Sequence, residues 1–392
     1  MYTRLLAAPD RSFFLFGPRG TGKSTWLRER FAGVPWFDLL DSEVYLDLLA
    51  DPARLERRLP PAHQGWVVID EVQRVPEVLN EVHRLIESRG LRFALTGSSA
   101  RKLRRGGVNL LAGRALTLRM HPVAAAEVGP GWQLSQALLR GGLPFALTRA
   151  GDADALAYLH DYVRTYLREE VQAEGLTRNL AGFARFLEAA SFSQAAPLNV
   201  TAVSRDCSVE RKVVEDWFGV LEDLLVAIRL PVFARRAKRE VASHPKFFFF
   251  DAGVYRALRP RGPLDSAEEI DGAALETLLL QEVRVHNDAS SLGYDLFHWR
   301  TRRGDEVDLV LYGERGLFGF EVKRASRVRS EDLKGLRAFQ EDYPPAQLWL
   351  LYGGDRAYLD GGVNVLPFAE AIRRLPEILS GRSPMPEAPA PC

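Results

Sequence analysis

The chain has 392 residues, too long for one ordinary core, and 46% of them are apolar, enough for two to four well-packed domains. A net charge of +1 excludes a general attraction to nucleic acid, so any such surface must be a local patch. Two distant cysteines, Cys207 and Cys392, exclude a disulfide framework, and no apolar run approaches 18 residues, so a soluble, cytoplasmic protein with no membrane partner is expected.

The opening stretch MYTRLLAAPDRSFFLF is broken by Pro9, Asp10 and Arg11 and is not a secretion signal. FFLF (13–16), WVVID (66–70) and RFALTGS (92–98) read as buried strands, separated by helices over 25–31 and 78–89. Buried strands alternating with helices predict a parallel sheet covered on both faces. The stretch 100–115 is basic and glycine-broken, an exposed loop or short helix, and 132–178 is rich in helix. From about 180 to 260 the order is helix, helix, strand, a basic cluster and the strand KFFFFD, the order of a winged helix-turn-helix. RGPLDSAEE (261–269) reads as a linker. A long helix from 271 follows, then strands around DLFHWRT, EVDLVLYG, LFGFEVKRA and QLWLLYG, with a helix before the last. The tail, SGRSPMPEAPAPC, is Pro-rich and is expected to be disordered.

Chemistry concentrates first at Gly17-Pro18-Arg19-Gly20-Thr21-Gly22-Lys23-Ser24, which fits G-x-x-x-x-G-K-[ST] in full and is followed by Thr25. Glycines let backbone N–H groups turn around phosphates, and the helix N-terminus adds its positive dipole end. Lys23 would reach the β- and γ-phosphates of ATP, and Ser24 would give its hydroxyl to Mg²⁺. Asp70, closing VVID, can hold Mg²⁺ through water, and the next residue, Glu71, can polarise the attacking water. Thr96 and Ser98, closing a third strand, can position that water or sense the γ-phosphate. Only seven of the 52 basic residues are lysine, so a retained lysine hints at a site that needs a compact ammonium.

With FGPRGTGKST, VIDEVQRVP, LTGSSARKL, LAGRALTLRMHP, KFFFFDAGVYRAL, FHWRTRRGDEVDLVL and FGFEVKRA in place, the chain resembles the bacterial and archaeal AAA+-type ATPases that carry a DUF4143 carboxy-terminal region. The likeness runs to about residue 370. It implies a P-loop ATPase, a winged-helix element and a restriction-endonuclease-like fold, and it makes Arg114, in LAGR, the first candidate for an arginine finger, with Arg101, Arg104 and Arg105 as rivals.

Glu321 and Lys323 lie two apart on an apolar strand and so share a face. The turn GERG (313–316) makes a hairpin that brings Asp308 near Glu321, and Glu276 on the preceding helix can supply a third carboxylate. This set resembles the PD-(D/E)xK nuclease core, with Val307 where proline often stands. In that chemistry Glu276, Asp308 and Glu321 would bind Mg²⁺ and Lys323 would orient or deprotonate water. In the middle segment Arg205, Arg211 and Lys212 flank the start of the would-be recognition helix 209–225. Arg235, Arg236, Lys238 and Arg239 form a would-be wing able to neutralise phosphates. Trp217, Phe218 and the FFFF run are core, and Asp251 is a helix N-cap. His83, His121, His160, His244, His286 and His298 show no metal-ligand spacing.

The expected architecture is thus α/β: a P-loop NTPase core with a parallel sheet (1–128), a helical lid or connector (129–180), a winged helix-turn-helix (181–262), a PD-(D/E)xK-like α/β domain (263–376) and a tail (377–392). The expected function is Mg²⁺-dependent ATP binding and hydrolysis coupled to action on nucleic acid, DNA before RNA, with homo-oligomerisation allowed. The alternative is an ATP-switched regulator or scaffold whose carboxy-terminal domain binds nucleic acid or protein without cleaving it.

Overall fold

The structure is a computed structural model that describes residues 2–98, 103, 111, 113–166, 179–237, 239–263 and 265–381. It divides into two compact units, residues 6–121 with 219–226, and the remainder of the chain.

The first unit is built on a sheet of β1 (Phe13–Phe16), β2 (Trp36–Asp38), β3 (Trp66–Asp70), β4 (Arg92–Gly97) and β5 (Leu116–Arg119), in the order β2-β3-β4-β1-β5. Every pairing is parallel. Phe13, Phe14 and Leu15 are wholly buried, as a strand covered on both faces requires. β2 and β5 add two strands to the three expected. They are three and four residues long and half exposed, too short and too mixed to stand out in the sequence. The helix Lys23–Arg30 follows β1, and the helix Val78–Arg89 ends at Gly90, whose φ of 63° is the left-handed geometry of a helix stop. Of the basic stretch 100–115, Arg101, Arg104 and Arg105 lie outside the described residues, while Leu103 and Leu111 are buried in this unit's core.

In the second unit the helix Leu180–Ser191 leads through β6 (Ala196–Pro197) to the helices Val200–Cys207 and Arg211–Asp223. β7 (Ala227–Leu230) and β8 (Lys246–Phe249) complete a small antiparallel sheet in the order β6-β8-β7. Phe247 to Phe250, Trp217 and Phe218 are buried, and Asp251 caps the helix Ala252–Leu258 by accepting from Val254 N at 2.9 Å.

The long helix Ala267–Ala289 begins inside the stretch expected as a linker, because Ser266 caps it by accepting from Glu269 N. A six-stranded sheet follows: β9 (Asp295–Arg300), β10 (Glu306–Gly313), β11 (Gly316–Lys323), β12 (Gln347–Tyr352), β13 (Tyr358–Asp360) and β14 (Val363–Pro367), in the order β13-β14-β12-β11-β10-β9. One core cluster joins Leu309, Phe318 and Phe320 to Leu278 and Val283 of the long helix. Another joins Val307, Val310 and Leu350 to Leu336 and Phe339 of the helix Lys334–Asp342. The ordered fold runs past the expected boundary at 376. Ile378 and Leu379 are fully buried on the helix Leu375–Leu379, and Tyr294 Oη donates to Leu379 O at 2.8 Å. Residues 382–392 lie outside the described residues.

Two candidate phosphate-handling sites

The parallel sheet brings three strand ends together. β4 lies between β1 and β3, with Phe16 opposite Gly97 and Ile69 opposite Leu95, so Thr96 and Ser98 stand between the loop 17–24 and the pair Asp70-Glu71. In the loop, Gly20 and Gly22 have φ of 83° and 92°, conformations that side chains resist, and this lets the backbone curl round the start of the helix. Lys23 is buried and its Nζ donates to Gly17 O at 2.8 Å and Pro18 O at 3.2 Å, holding the ammonium inside the loop. Thr21 Oγ1 donates to Pro18 O at 2.8 Å, while Arg19 and Gly20 are exposed and Ser24 is half-buried at the mouth.

Asp70 is buried and accepts from Thr96 Oγ1, which in turn accepts from Glu71 N at 3.2 Å. Glu71 holds a left-handed φ of 58°, unusual for a glutamate and characteristic of a residue fixed by its surroundings. Gln73 is the partner that sequence reading missed. Its Nε2 donates to Glu71 Oε2 at 2.5 Å and to Ser98 Oγ at 3.3 Å. A Cβ on Gly97 would lie 2.5 Å from Gln73 Oε1, so a larger residue there would push this amide aside. The donors suit a Mg²⁺-nucleotide: a hydroxyl at Ser24, a buried carboxylate at Asp70 and an ammonium at Lys23.

Arg114 stands elsewhere. It precedes β5, whose Leu116 pairs with Phe13, whereas the loop 17–24 leaves the far end of β1. At about 3.3 Å per residue, roughly 15 Å of strand separates it from the phosphate edge. Its guanidinium pairs with Glu87.

The second cluster forms around β10 and β11. Their register places Gly313 opposite Gly316 and Leu309 opposite Phe320, so Asp308 falls beside Glu321. Between Val307–Trp299 and Val310–Phe297 the pairing with β9 slips by one, leaving Asp308 and Leu309 opposite His298. This bulge re-aims Asp308. Asp308 Oδ2 accepts from Val322 N at 2.9 Å, and Lys323 Nζ donates to Glu321 Oε1 at 2.7 Å. Glu276, Asp308, Glu321 and Lys323 are therefore brought together, lining a cavity of about 440 Å³.

A cation from another strand is already there. Lys246, the first residue of β8, puts Nζ 2.8 Å from Asp308 Oδ1, 2.6 Å from Glu276 Oε2 and 3.2 Å from Glu306 Oε1. Its side chain is 1% exposed. Burial disfavours this ammonium, yet Asp308, Glu276 and Glu306 hold its pKa well above the ordinary lysine value. Burial likewise opposes Asp308, but Lys246 and Lys323 keep its pKa below the usual value. Burial and the charge of Asp308 push Glu276 up to about 8 and raise Glu321 as well. Lys323 is held charged by Glu321 and Asp308 against burial.

The basic segment between β7 and β8, expected as a wing, is tied to its neighbours. Phe233 N donates to His298 O and Ala242 N to Arg300 O, so this segment runs along the edge of β9. Arg235 pairs with Asp295 and stacks on Tyr312, and Arg239 pairs with Glu341 and Asp342. Lys238 lies outside the described residues. On the helices, Arg205, Arg211 and Lys212 are exposed, but the helix Arg211–Asp223 also carries four acids.

The fold and the strand-end constellation of the first unit are those of a P-loop nucleotide-binding domain. In agreement, residues 9–129 match the AAA domain family, residues 131–265 a domain of unknown function, DUF8612, and residues 271–371 another, DUF4143. An AAA domain match is thus followed by a DUF4143 match, the combination that the sequence resembles. It is similar to the uncharacterized protein Rv2008c of Mycobacterium tuberculosis and to Mb2031c of Mycobacterium bovis, each 27% identical over 352 residues, 88% of this chain and 77% of theirs. Among solved structures, the Aeropyrum pernix ORC1 protein in complex with DNA aligns with 64% of this chain and 87% of its own at 15% identity and a TM-score of 0.23. Protein VC1899 of Vibrio cholerae aligns with 94% and 97% at 12% identity and a TM-score of 0.25. Among the described residues no helix is long and apolar enough to cross a membrane.

Proposed function

We propose that the chain binds ATP with Mg²⁺ and hydrolyses it, and that its other unit engages nucleic acid, DNA before RNA, without cutting it. The observation that carries the ATPase reading is the meeting of Lys23, Thr96, Asp70 and Glu71 at adjacent ends of one parallel sheet. Backbone amides of 17–24 and Lys23 would grip the phosphates, and Ser24 and Asp70 would hold the ion, which supplies positive charge to the β- and γ-oxygens. Glu71, steadied by Gln73, would take the proton of the attacking water, and Thr96 and Ser98 would fix where that water stands. Arg114 would act as finger only on a neighbouring copy's phosphate, because its own site lies across the sheet.

The DNA reading draws on the order helix, strand, helix, helix, strand, strand with sheet order β6-β8-β7, which we read as a winged helix-turn-helix, and on exposed Arg205, Arg211 and Lys212 at the paired helices. Binding without cleavage, the ATP-switched regulator, is favoured over a metal nuclease by the ammonium of Lys246 within the acids. The deciding assay measures ATP turnover with Mg²⁺, alone and with single-stranded DNA, duplex DNA and RNA, with the nucleic acid run on a gel. Turnover raised by DNA with the strands left intact is expected. No turnover under any condition removes the ATPase reading, and Mg²⁺-dependent products removed by Asp308→Asn remove the non-cutting one.

A further inference from the structure

We propose that Lys246 is the resident cation of the Glu276, Glu306 and Asp308 cluster, so that the folded protein takes up no divalent metal there. An ammonium has three donors and one positive charge, and at this site three carboxylates converge on it at 2.6, 3.2 and 2.8 Å. These are ion-pair distances, the Asp308 contact being also a hydrogen bond, and the Nζ stands where a divalent ion drawing on the same oxygens at roughly 2.0–2.6 Å would have to sit. With the lysine side chain 1% exposed, a hydrated ion cannot share the position and must expel the lysine to enter. Lys323 does not take this part, since its Nζ lies on Glu321. Lys246 is fixed on β8, hydrogen-bonded in register to β7 on one side and β6 on the other, with Phe247 to Phe249 buried behind it.

The inference deepens the non-cutting reading of this unit, and its test is run without nucleotide or nucleic acid, so that metal uptake decides the inference while the gel assay above decides that reading. Full-length protein is titrated with Mn²⁺ and free Mn²⁺ is followed by electron paramagnetic resonance, for the natural chain, Asp308→Asn, Lys246→Ala and Lys246→Ala/Asp308→Asn. The natural chain and Asp308→Asn should give the same isotherm, whereas Lys246→Ala should gain one Mn²⁺ per chain that the added Asp308→Asn removes. If the natural chain already binds a Mn²⁺ that Asp308→Asn abolishes, or if folded Lys246→Ala gains none, the proposal is overturned. Should Lys246→Ala fail to fold, Lys246→Ala/Glu306→Gln, with one carboxylate fewer left uncompensated, takes its place under the same two outcomes.

Discussion

Gln73 Nε2 donates to Glu71 Oε2 at 2.5 Å across a single helical turn. A hydrogen bond to the carboxylate expected to activate water fixes its direction, so the amide is a positioning group. Gln73→Leu should lower kcat roughly tenfold, about 1.4 kcal/mol, while nucleotide affinity holds. Glu71→Gln should lower kcat by about 10² or more with binding retained, and Lys23→Ala should lose binding itself. Gly97→Ala, which crowds Gln73, should imitate Gln73→Leu. Equal kcat in Gln73→Leu and the natural chain would remove Gln73 from the site.

Because Arg114 lies at the edge of the sheet away from the phosphate loop, its effect should appear only between copies. Arg114→Ala and Lys23→Ala should each be inactive alone, by about 10³ for the arginine. Mixing them should restore part of the turnover, since one copy offers an intact loop and the other an intact arginine. A mixture as inactive as its components would exclude Arg114 as the finger.

Stability should fall as pH rises from about 6.5 to 8. Glu282 is buried, and lost hydration pushes its carboxyl from 4.5 up to about 8, although Ala125 N donates to it at 2.8 Å. It is then protonated when folded and ionised when unfolded between those values, so the folded state binds the extra proton and loses stability as pH climbs. Glu276 acts in the same direction. His298, lowered by burial to about 4, has the opposite slope below about 6.5, which confines the clean window to higher pH. One such carboxyl contributes on the order of 2 kcal/mol across it. Chemical denaturation at pH 6.5 and 8 should show the drop, and Glu282→Gln should lessen it; an unchanged slope would mean that the glutamate is already ionised in the fold.

Asp251 does two jobs with one carboxyl, accepting from Val254 N and, at 2.6 Å, from Gly142 N. Asp251→Ala removes a helix cap and strands a buried amide, a cost on the order of 3 kcal/mol. Asp251→Asn, which keeps an acceptor, should recover part of that in urea unfolding.

The contrast between the two sites explains what could be read in advance. The phosphate loop is legible because its determinants are contiguous: glycines where the backbone must turn, then Lys23 at the first turn of a helix. The β10–β11 hairpin is legible from GERG and the strict alternation that puts Glu321 and Lys323 on one face. Lys246 escaped because its partners are remote in sequence, Asp308 standing 62 residues away. The cue was present, a rare lysine heading four buried phenylalanines, where an unpaired charge could not survive. The partners of the would-be wing were hidden in the same way. Its arginines look solvent-bound in sequence, and only the fold supplies Asp295, Glu341 and Asp342 to receive them.

The lysine that heads β8 also decides where this protein can be cut. A fragment starting at 263 would keep Glu276, Glu306 and Asp308, with Arg300 beside Glu306 and Lys323 close by, but leave behind Lys246, the cation that all three share. Mutual repulsion among those acids would make the excised piece poorly autonomous, so the small sheet and the large one are bound to be made, kept and lost together.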